Sequence, residues 1–254
     1  MNTVLTQGSL SGVRALVTGS SRGIGADTAG MLAAAGAKVA INYRNKEARA
    51  LKVVAAIEAD GGEAIALGGD LTDPDAVAGM FAIVEKDWGG LDLLVLNASG
   101  GMESGMDEDY AMKLNRDAQI NVLDAALPLM ASGSRVVFVT SHQAHFVATA
   151  ETMPSYLPVA LSKRAGEDAL RGRAAELAEK GVGFVVVSGD MIEGTITATL
   201  LERANPGAIE SRREEAGRLY SVNEFAAEVA QAAVDPIPDD HTRYVGDVSG
   251  FQVS

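Results

Sequence analysis

Short runs rich in valine, isoleucine and leucine recur along the chain at Ala15–Thr18, Lys38–Ile41, Ala64–Leu67, Leu91–Leu96, Arg135–Thr140 and Gly183–Ser188. They lack the polar alternation of a half-exposed sheet, so they read as strands covered on both faces. Between them lie segments with helical spacing, such as Ala26–Ala35 and Ala76–Lys86, and Gly61-Gly62 and Asp73-Pro74 mark joins. Alternation of strand and helix restricts the fold to a parallel sheet with right-handed crossovers. The expectation is an α/β, doubly wound sheet of about seven strands with helices on both faces, the last strand near Thr242–Gly246. No linker, repeat or low-complexity segment divides the chain, and residues 1–254 are read as one domain.

Composition removes several functions. There is no cysteine, hence no disulfide and no thiolate metal site; three histidines without acidic partners at ligand spacing suggest no metal. Net charge is −13 with no basic tract, which disfavours nucleic acid and anionic membrane as partners. The stretch Met1 to Gly12 lacks a basic-then-apolar signal, and no apolar run approaches the roughly 20 residues that span a bilayer. A soluble, cytoplasmic protein is expected.

The first strand runs into Thr18-Gly19-Ser20-Ser21-Arg22-Gly23-Ile24-Gly25, then a helix. Glycines there let the backbone turn sharply and approach a pyrophosphate, while the helix N-terminus offers unpaired N–H groups to the anion. This Thr-Gly-x-x-x-Gly-x-Gly pattern resembles the short-chain dehydrogenase/reductase family, and the resemblance continues to about residue 200. It implies a Rossmann-type fold and a nicotinamide cofactor. The second strand ends in Asn42-Tyr43-Arg44, with no acid to meet ribose hydroxyls. Arg44 and Arg22 suit a 2′-phosphate, so NADP(H) is the expected cofactor. The resemblance places adenine beside Asp70 and Leu71, and ribose near Asn97, Ala98 and Ser99. Together with the family's positions after the fifth and sixth strands, the resemblance implies the cofactor set Gly19, Ser21, Arg22, Gly23, Ile24, Gly25, Tyr43, Arg44, Asp70, Leu71, Asn97, Ala98, Ser99, Lys163, Gly189, Ile192 and Thr195.

The same resemblance assigns Ser141 to the reacting carbonyl oxygen and Lys163 to the nicotinamide ribose. It assigns Asn115 to a water that contacts that lysine. One position departs: the family's proton donor is a tyrosine four residues before the lysine, and Val159 stands there. Tyr156 lies seven residues before Lys163, about 10 Å along a continuous helix at 1.5 Å per residue. Pro158 suits a first helical turn, which puts Tyr156 in the preceding loop. It can fold back into the cleft as a relocated acid or simply pack against the substrate loop. His142 and His145 offer another donor beside Ser141. The expectation at this stage is that solvent or a phenol of the substrate supplies the proton, because Pro158 breaks the link between Tyr156 and Lys163.

The segment at about 189–218 reads as a substrate lid. Met191, Ile196, Leu200 and Leu201 would form its apolar side. Gly100, Gly101, Met102 and Met106 would form the opposite wall, with His145 and Val159 between. Thr140-Ser141-His142-Gln143-Ala144-His145-Phe146 and Ser188-Gly189-Asp190-Met191-Ile192-Glu193-Gly194-Thr195 resemble actinobacterial reductases that tailor aromatic polyketides, the angucyclinone ketoreductases in particular. That resemblance implies an NADPH-dependent ketoreductase acting on a bulky aromatic ketone in antibiotic biosynthesis. The alternatives are a catalytically silent NADP(H)-binding sensor or scaffold, and a 3-ketoacyl-type reductase. Helical patterns around Asp107–Met130 and Pro158–Lys180 correspond to the helices that family members pair, which implies a homotetramer.

Overall fold

A computed structural model of the protein describes residues 5–251 apart from 104, 106 and 108. The chain alternates β1 (Arg14–Val17), α1 (Gly23–Ala34), β2 (Lys38–Tyr43), α2 (Glu47–Ala59), β3 (Glu63–Gly68), α3 (Pro74–Trp88) and β4 (Leu91–Leu96). A composite helix follows: α4 (Tyr110–Met112), a π-helical turn (Lys113–Asp117) and α5 (Ala118–Ala126). Then come β5 (Met130–Ser141), α6 (His142–His145), α7 (Leu157–Arg171), α8 (Ala174–Glu179) and β6 (Gly183–Gly189). The chain continues through β7 (Ile192–Glu193), α9 (Ile196–Ala204), α10 (Ala208–Ala216), β8 (Tyr220–Ser221), α11 (Val222–Gln231) and β9 (Thr242–Val245).

Seven strands form one parallel sheet in the order β3-β2-β1-β4-β5-β6-β9. This is the doubly wound Rossmann-type arrangement, and its order reverses between β1 and β4, where ligands bind such sheets. Alternate side chains along each strand serve opposite cores. Val17, Ile41, Val95, Val137 and Val187 pack with Ala29, Leu32, Val54 and Phe225 on the face covered by α1, α2 and α11. Leu16, Ala40, Leu94, Val136 and Val186 pack with Met80, Val84, Leu123 and Leu170 on the face covered by α3, α5 and α7.

Local signals set the element ends. Asp73 caps α3 by accepting from the N–H groups of Asp75 and Ala76, with Pro74 in the first turn. Gly89 ends that helix at φ +70°, in the left-handed region that favours glycine. By contrast, no side chain caps the start of α1, so its N–H groups face outward beside the first glycine loop.

Beyond β6 the chain leaves the main sheet. β7 and β8 pair in a two-stranded parallel ribbon, Ile192 with Tyr220 and Glu193 with Ser221. Helices α9 and α10 form the excursion between them. The excursion spans most of the segment at about 189–218 that the sequence suggested as a substrate lid. α9 buries Ala198 and Leu201, whereas α10 buries no residue fully.

Candidate active site

The loops after β1, β2 and β3 are tied together by one buried side chain. Asn42 accepts from the Gly19 N–H through Oδ1 (3.0 Å) and donates through Nδ2 to the carbonyls of Leu67 (3.2 Å) and Gly69 (3.3 Å). Thr18 does the same between β1 and β4. Its hydroxyl donates to the Val95 carbonyl and accepts from the Asn97 and Ala98 N–H groups at 2.9 and 3.0 Å. The Asn97 amide donates back to the Thr18 carbonyl at 2.9 Å. The Asn42 tie has no sequence signature, because its partners lie on a neighbouring strand end and in the glycine loop.

These loops rim a cavity of about 570 Å³ along the carboxyl ends of the strands. Gly19 and Gly23 adopt φ of +61° and +58°. A Cβ at Gly25 would meet Asn97 Nδ2 at 2.6 Å and the Gly19 carbonyl oxygen at 2.8 Å. A narrow glycine turn thus opens onto the uncapped start of α1, and the backbone can approach a phosphate without side chains intervening. The wall includes all of the expected cofactor residues. Lys46 and Arg49, which sequence reading did not single out, join Arg22 and Arg44 to give four cations there. Arg44 donates to the Tyr110 hydroxyl across the cavity and lies 5.7 Å from the ring centre. The Asp70 carboxylate is held in a turn by the Thr72 N–H (3.0 Å) and hydroxyl (2.8 Å).

Ser141 ends β5 and caps α6, accepting from the Ala144 N–H at 3.3 Å. The Tyr156 hydroxyl lies 3.2 Å from Ser141 Oγ. The helix starts at Leu157, so Tyr156 stands on the turn before it, with its N–H bonded to the Met153 carbonyl at 2.8 Å. That turn brings the ring into the cavity wall, the folded-back placement that the sequence left open beside simple packing against the substrate loop. Burial raises the Tyr156 pKa against the smaller opposing effect of the Ser141 hydrogen bond, so the phenol holds its proton at neutral pH. Val159 is buried with Tyr156, Ala160, Met191 and Leu201 in a small separate core and does not line the cavity.

Lys163 lines the same cavity and is 9% exposed. Burial pulls its pKa down to about 8, partly offset by the charge of Glu167. Asn115 sits in the π-helical turn, donating to the Gly100 carbonyl (2.8 Å) and Ser162 Oγ (2.9 Å) and accepting from the Gly100 N–H (3.2 Å). Such a turn frees a backbone carbonyl from its helical partner. The freed geometry brings the Asn115 carbonyl so close to α7 that a Cβ at Gly166 would lie 2.0 Å from its oxygen.

Neither candidate histidine reaches the cavity. His142 donates through Nε2 to the Val245 carbonyl (3.1 Å) and accepts through Nδ1 from the Ser188 hydroxyl (2.8 Å), and burial drops its pKa to about 4. The carbonyl can only accept, so Nε2 carries the proton and His142 ties β5, β6 and β9 in its neutral form. His145 pairs with buried Glu167 (2.8 Å) and contacts the Tyr244 hydroxyl (3.2 Å). Gly101, Met102 and Leu200 also lie outside the cavity lining, whereas Met191 and Ile196 are in it; Met106 falls outside the described residues. Gly101 packs behind the site, where an added Cβ would meet Ala111 and Val159. Gly189 is required by Phe225, whose ring would lie 2.3 Å from an added Cβ.

The α9–α10 excursion is latched to this wall. Asp190 accepts the Met191 N–H (2.7 Å) and Arg212 Nε (2.9 Å). The Arg212 guanidinium, reaching down from α10, also lies 4.7 Å from the Phe251 ring centre. Thr195 caps α9 through the Ala198 N–H (3.1 Å) and donates to the Ile192 carbonyl (2.8 Å), which occupies its hydroxyl.

A sequence profile described as short chain dehydrogenase matches residues 14–205. Hydroxynaphthalene reductase arp2 of Aspergillus fumigatus is 38% identical over 180 residues, covering 68% of this chain and 63% of that protein. A short chain dehydrogenase from Burkholderia cenocepacia, solved with NADP, superposes with a TM-score of 0.75 at 33% identity, covering 88% of this chain and 91% of that one. The angucycline C-6 ketoreductase LanV with bound NADP gives 0.74 at 29% identity, with coverages of 90% and 91%.

Proposed function

Because this chain belongs to the short chain dehydrogenase family, we propose that it is an NADPH-dependent ketoreductase acting on a bulky aromatic polyketide. The product is the corresponding alcohol. The observation that carries this reading is the Ser141–Tyr156 pair, which sits with Lys163 in the same cavity as the glycine turn and four cations. An angucyclinone-like ketone in antibiotic biosynthesis is the substrate that the LanV likeness favours. A silent binding protein would have no use for a paired serine and tyrosine at the cavity wall. The protein is further proposed to work in the cytoplasm as a homotetramer. In support, α7 exposes Leu157 and Leu161, and no helix among the described residues is long and apolar enough to cross a membrane.

The residues present fit the cofactor: the glycine turn leaves room for a pyrophosphate, and Arg22, Arg44, Lys46 and Arg49 offer forked and point charges to a 2′-phosphate. When bound, NADPH supplies the hydride that the carbonyl carbon receives. Ser141 donates a hydrogen bond to the carbonyl oxygen and so stabilises the charge that develops there. Tyr156, protonated and already within 3.2 Å of Ser141 Oγ, passes its proton to that oxygen as the carbonyl π bond breaks. Its phenolate then recovers a proton from solvent. Lys163 holds a positive charge against the cavity below about pH 8, which favours that phenolate. Tyr156 therefore takes the role that the family gives to the position of Val159.

The test is NADPH oxidation with aromatic and polycyclic ketones, comparing wild type with Tyr156→Phe. Loss of a positioned acid should lower kcat about 10²–10⁴-fold, with NADPH affinity unchanged. A change below about threefold, roughly 0.65 kcal/mol, would return the proton to solvent or to the substrate's phenol.

A further inference from the structure

At the substrate end of the cavity nearly every polar wall group has a partner within the protein. Ser141 and Tyr156 bond each other, Thr195 caps α9, and Asp190 is held by Arg212 and its own loop. Glu103 accepts the Gly101 N–H. Gln143 is different. It lies two residues beyond Ser141 on α6 and lines the cavity, yet its carboxamide oxygen is buried with no hydrogen-bond partner among the described residues. Its backbone carbonyl is pinned by the Thr152 hydroxyl (3.3 Å), so only the side chain is free to answer a ligand. Around it Met191, Ile196, Ala198 and Leu201 are apolar, and the one hydroxyl among them, on Thr197, stands exposed to solvent.

A buried amide oxygen without a partner is costly, and apolar neighbours do not relieve it. A ligand can. Thr140 also has an unpartnered hydroxyl in the wall, but it stands on a one-torsion side chain within β5, whereas the Gln143 amide ends a longer side chain with more rotatable bonds. The amide carries both an acceptor and two donors, so it can accept from a hydroxyl and donate to a neighbouring oxygen. We propose that Gln143 is a specificity-determining residue that hydrogen-bonds a ring hydroxyl of the substrate, so that hydroxylated aromatic ketones are preferred over their unsubstituted counterparts. This rests on the ketoreductase reading above and names the substrate class within it. A site built to bond a substrate hydroxyl rejects the analogue without one, because its own polar group is then left unpaired.

The test uses α-tetralone and the set of its monohydroxylated derivatives, one for each open position of the aromatic ring. kcat/KM is measured with NADPH for wild type, Gln143→Leu and Gln143→Glu. At least one hydroxylated ketone should exceed α-tetralone about tenfold or more in wild type. That ratio should fall towards one in Gln143→Leu, which keeps the bulk and removes both polar atoms. It should survive in Gln143→Glu, which keeps an acceptor. A general loss of folding would lower both substrates together and leave the ratio alone. A wild-type ratio near one, or a ratio unaltered by Gln143→Leu, overturns the assignment of Gln143 while leaving the reductase intact. If no ketone of the set oxidises NADPH, the ketoreductase reading falls and takes this inference with it.

Discussion

Replacing Lys163 by methionine should make the cofactor-free protein harder to unfold at neutral pH while destroying its turnover. The ammonium is buried at 9% exposure. Its pKa falls from 10.5 to about 8 because desolvation outweighs the attraction of Glu167. A difference of that size corresponds to roughly 3 kcal/mol against the folded state. The sign follows from proton counting. Between pH 8 and 10.5 the unfolded chain holds a proton at this position that the folded chain has released, so this group makes stability rise with pH across that window. Below about pH 8 both states hold it and the folded state bears the whole penalty; above about 10.5 neither does and the penalty is gone. Methionine fills similar space without charge, and Glu167 keeps Arg171 and His145 as partners. Urea unfolding followed by Trp88 fluorescence should therefore show the variant more stable by roughly 3 kcal/mol near pH 7, with the gap shrinking from about pH 8 upward and gone above about pH 10.5. NADPH should narrow the neutral-pH gap or invert it, since ligand at a hundred times Kd adds about 2.7 kcal/mol to the form that binds it. A variant less stable than wild type near pH 7, or a gap that ignores pH, would refute the reasoning.

Four further outcomes follow. Arg44→Asp should cut the preference for NADPH over NADH tenfold or more, about 1.4 kcal/mol, measured by fluorescence titration of each cofactor. Gly166→Ala should destabilise the fold by at least about 1–3 kcal/mol in urea unfolding, because its Cβ would lie 2.0 Å from the Asn115 carbonyl oxygen. Arg212→Met strands the Asp190 carboxylate, which is largely shielded from water. Limited proteolysis should then cut within the lid at lower protease concentration, and KM for the ketone should rise. Light scattering at micromolar concentration should report a tetramer, and Leu161→Glu should shift it to smaller species.

The main sheet was legible because buried parallel strands need unbroken apolar runs, and even β9 falls at its expected place near Thr242. β7 and β8 were not, since two-residue strands carry no periodicity. The glycine turn and Ser141 announce themselves through local motifs. Pro158 placed Tyr156 just before the helix, and the helix does start at Leu157, but nothing in the sequence decided whether the ring folds back into the cleft. The turn at Met153, not the helical rise, decides where the phenol goes. His145 looked available because its partner Glu167 lies 22 residues away, a contact that only folding creates. Gln143 gave no signal, because its interest lies in a missing partner.

The β7–β8 ribbon has an evolutionary consequence. It pins both ends of the lid at a fixed point on the scaffold, so the intervening chain behaves as a cassette with a closed base. Lengthening such a loop adds little closure entropy, about 0.6 kcal/mol per doubling. The residues between Thr195 and Leu219 can therefore be exchanged or extended, provided the Arg212 tie to Asp190 is kept, while the glycine turn, Ser141, Tyr156 and Lys163 stay in register. Descendants of this chain could take up new ketones by redrafting one insert, leaving the rest of the architecture as it stands.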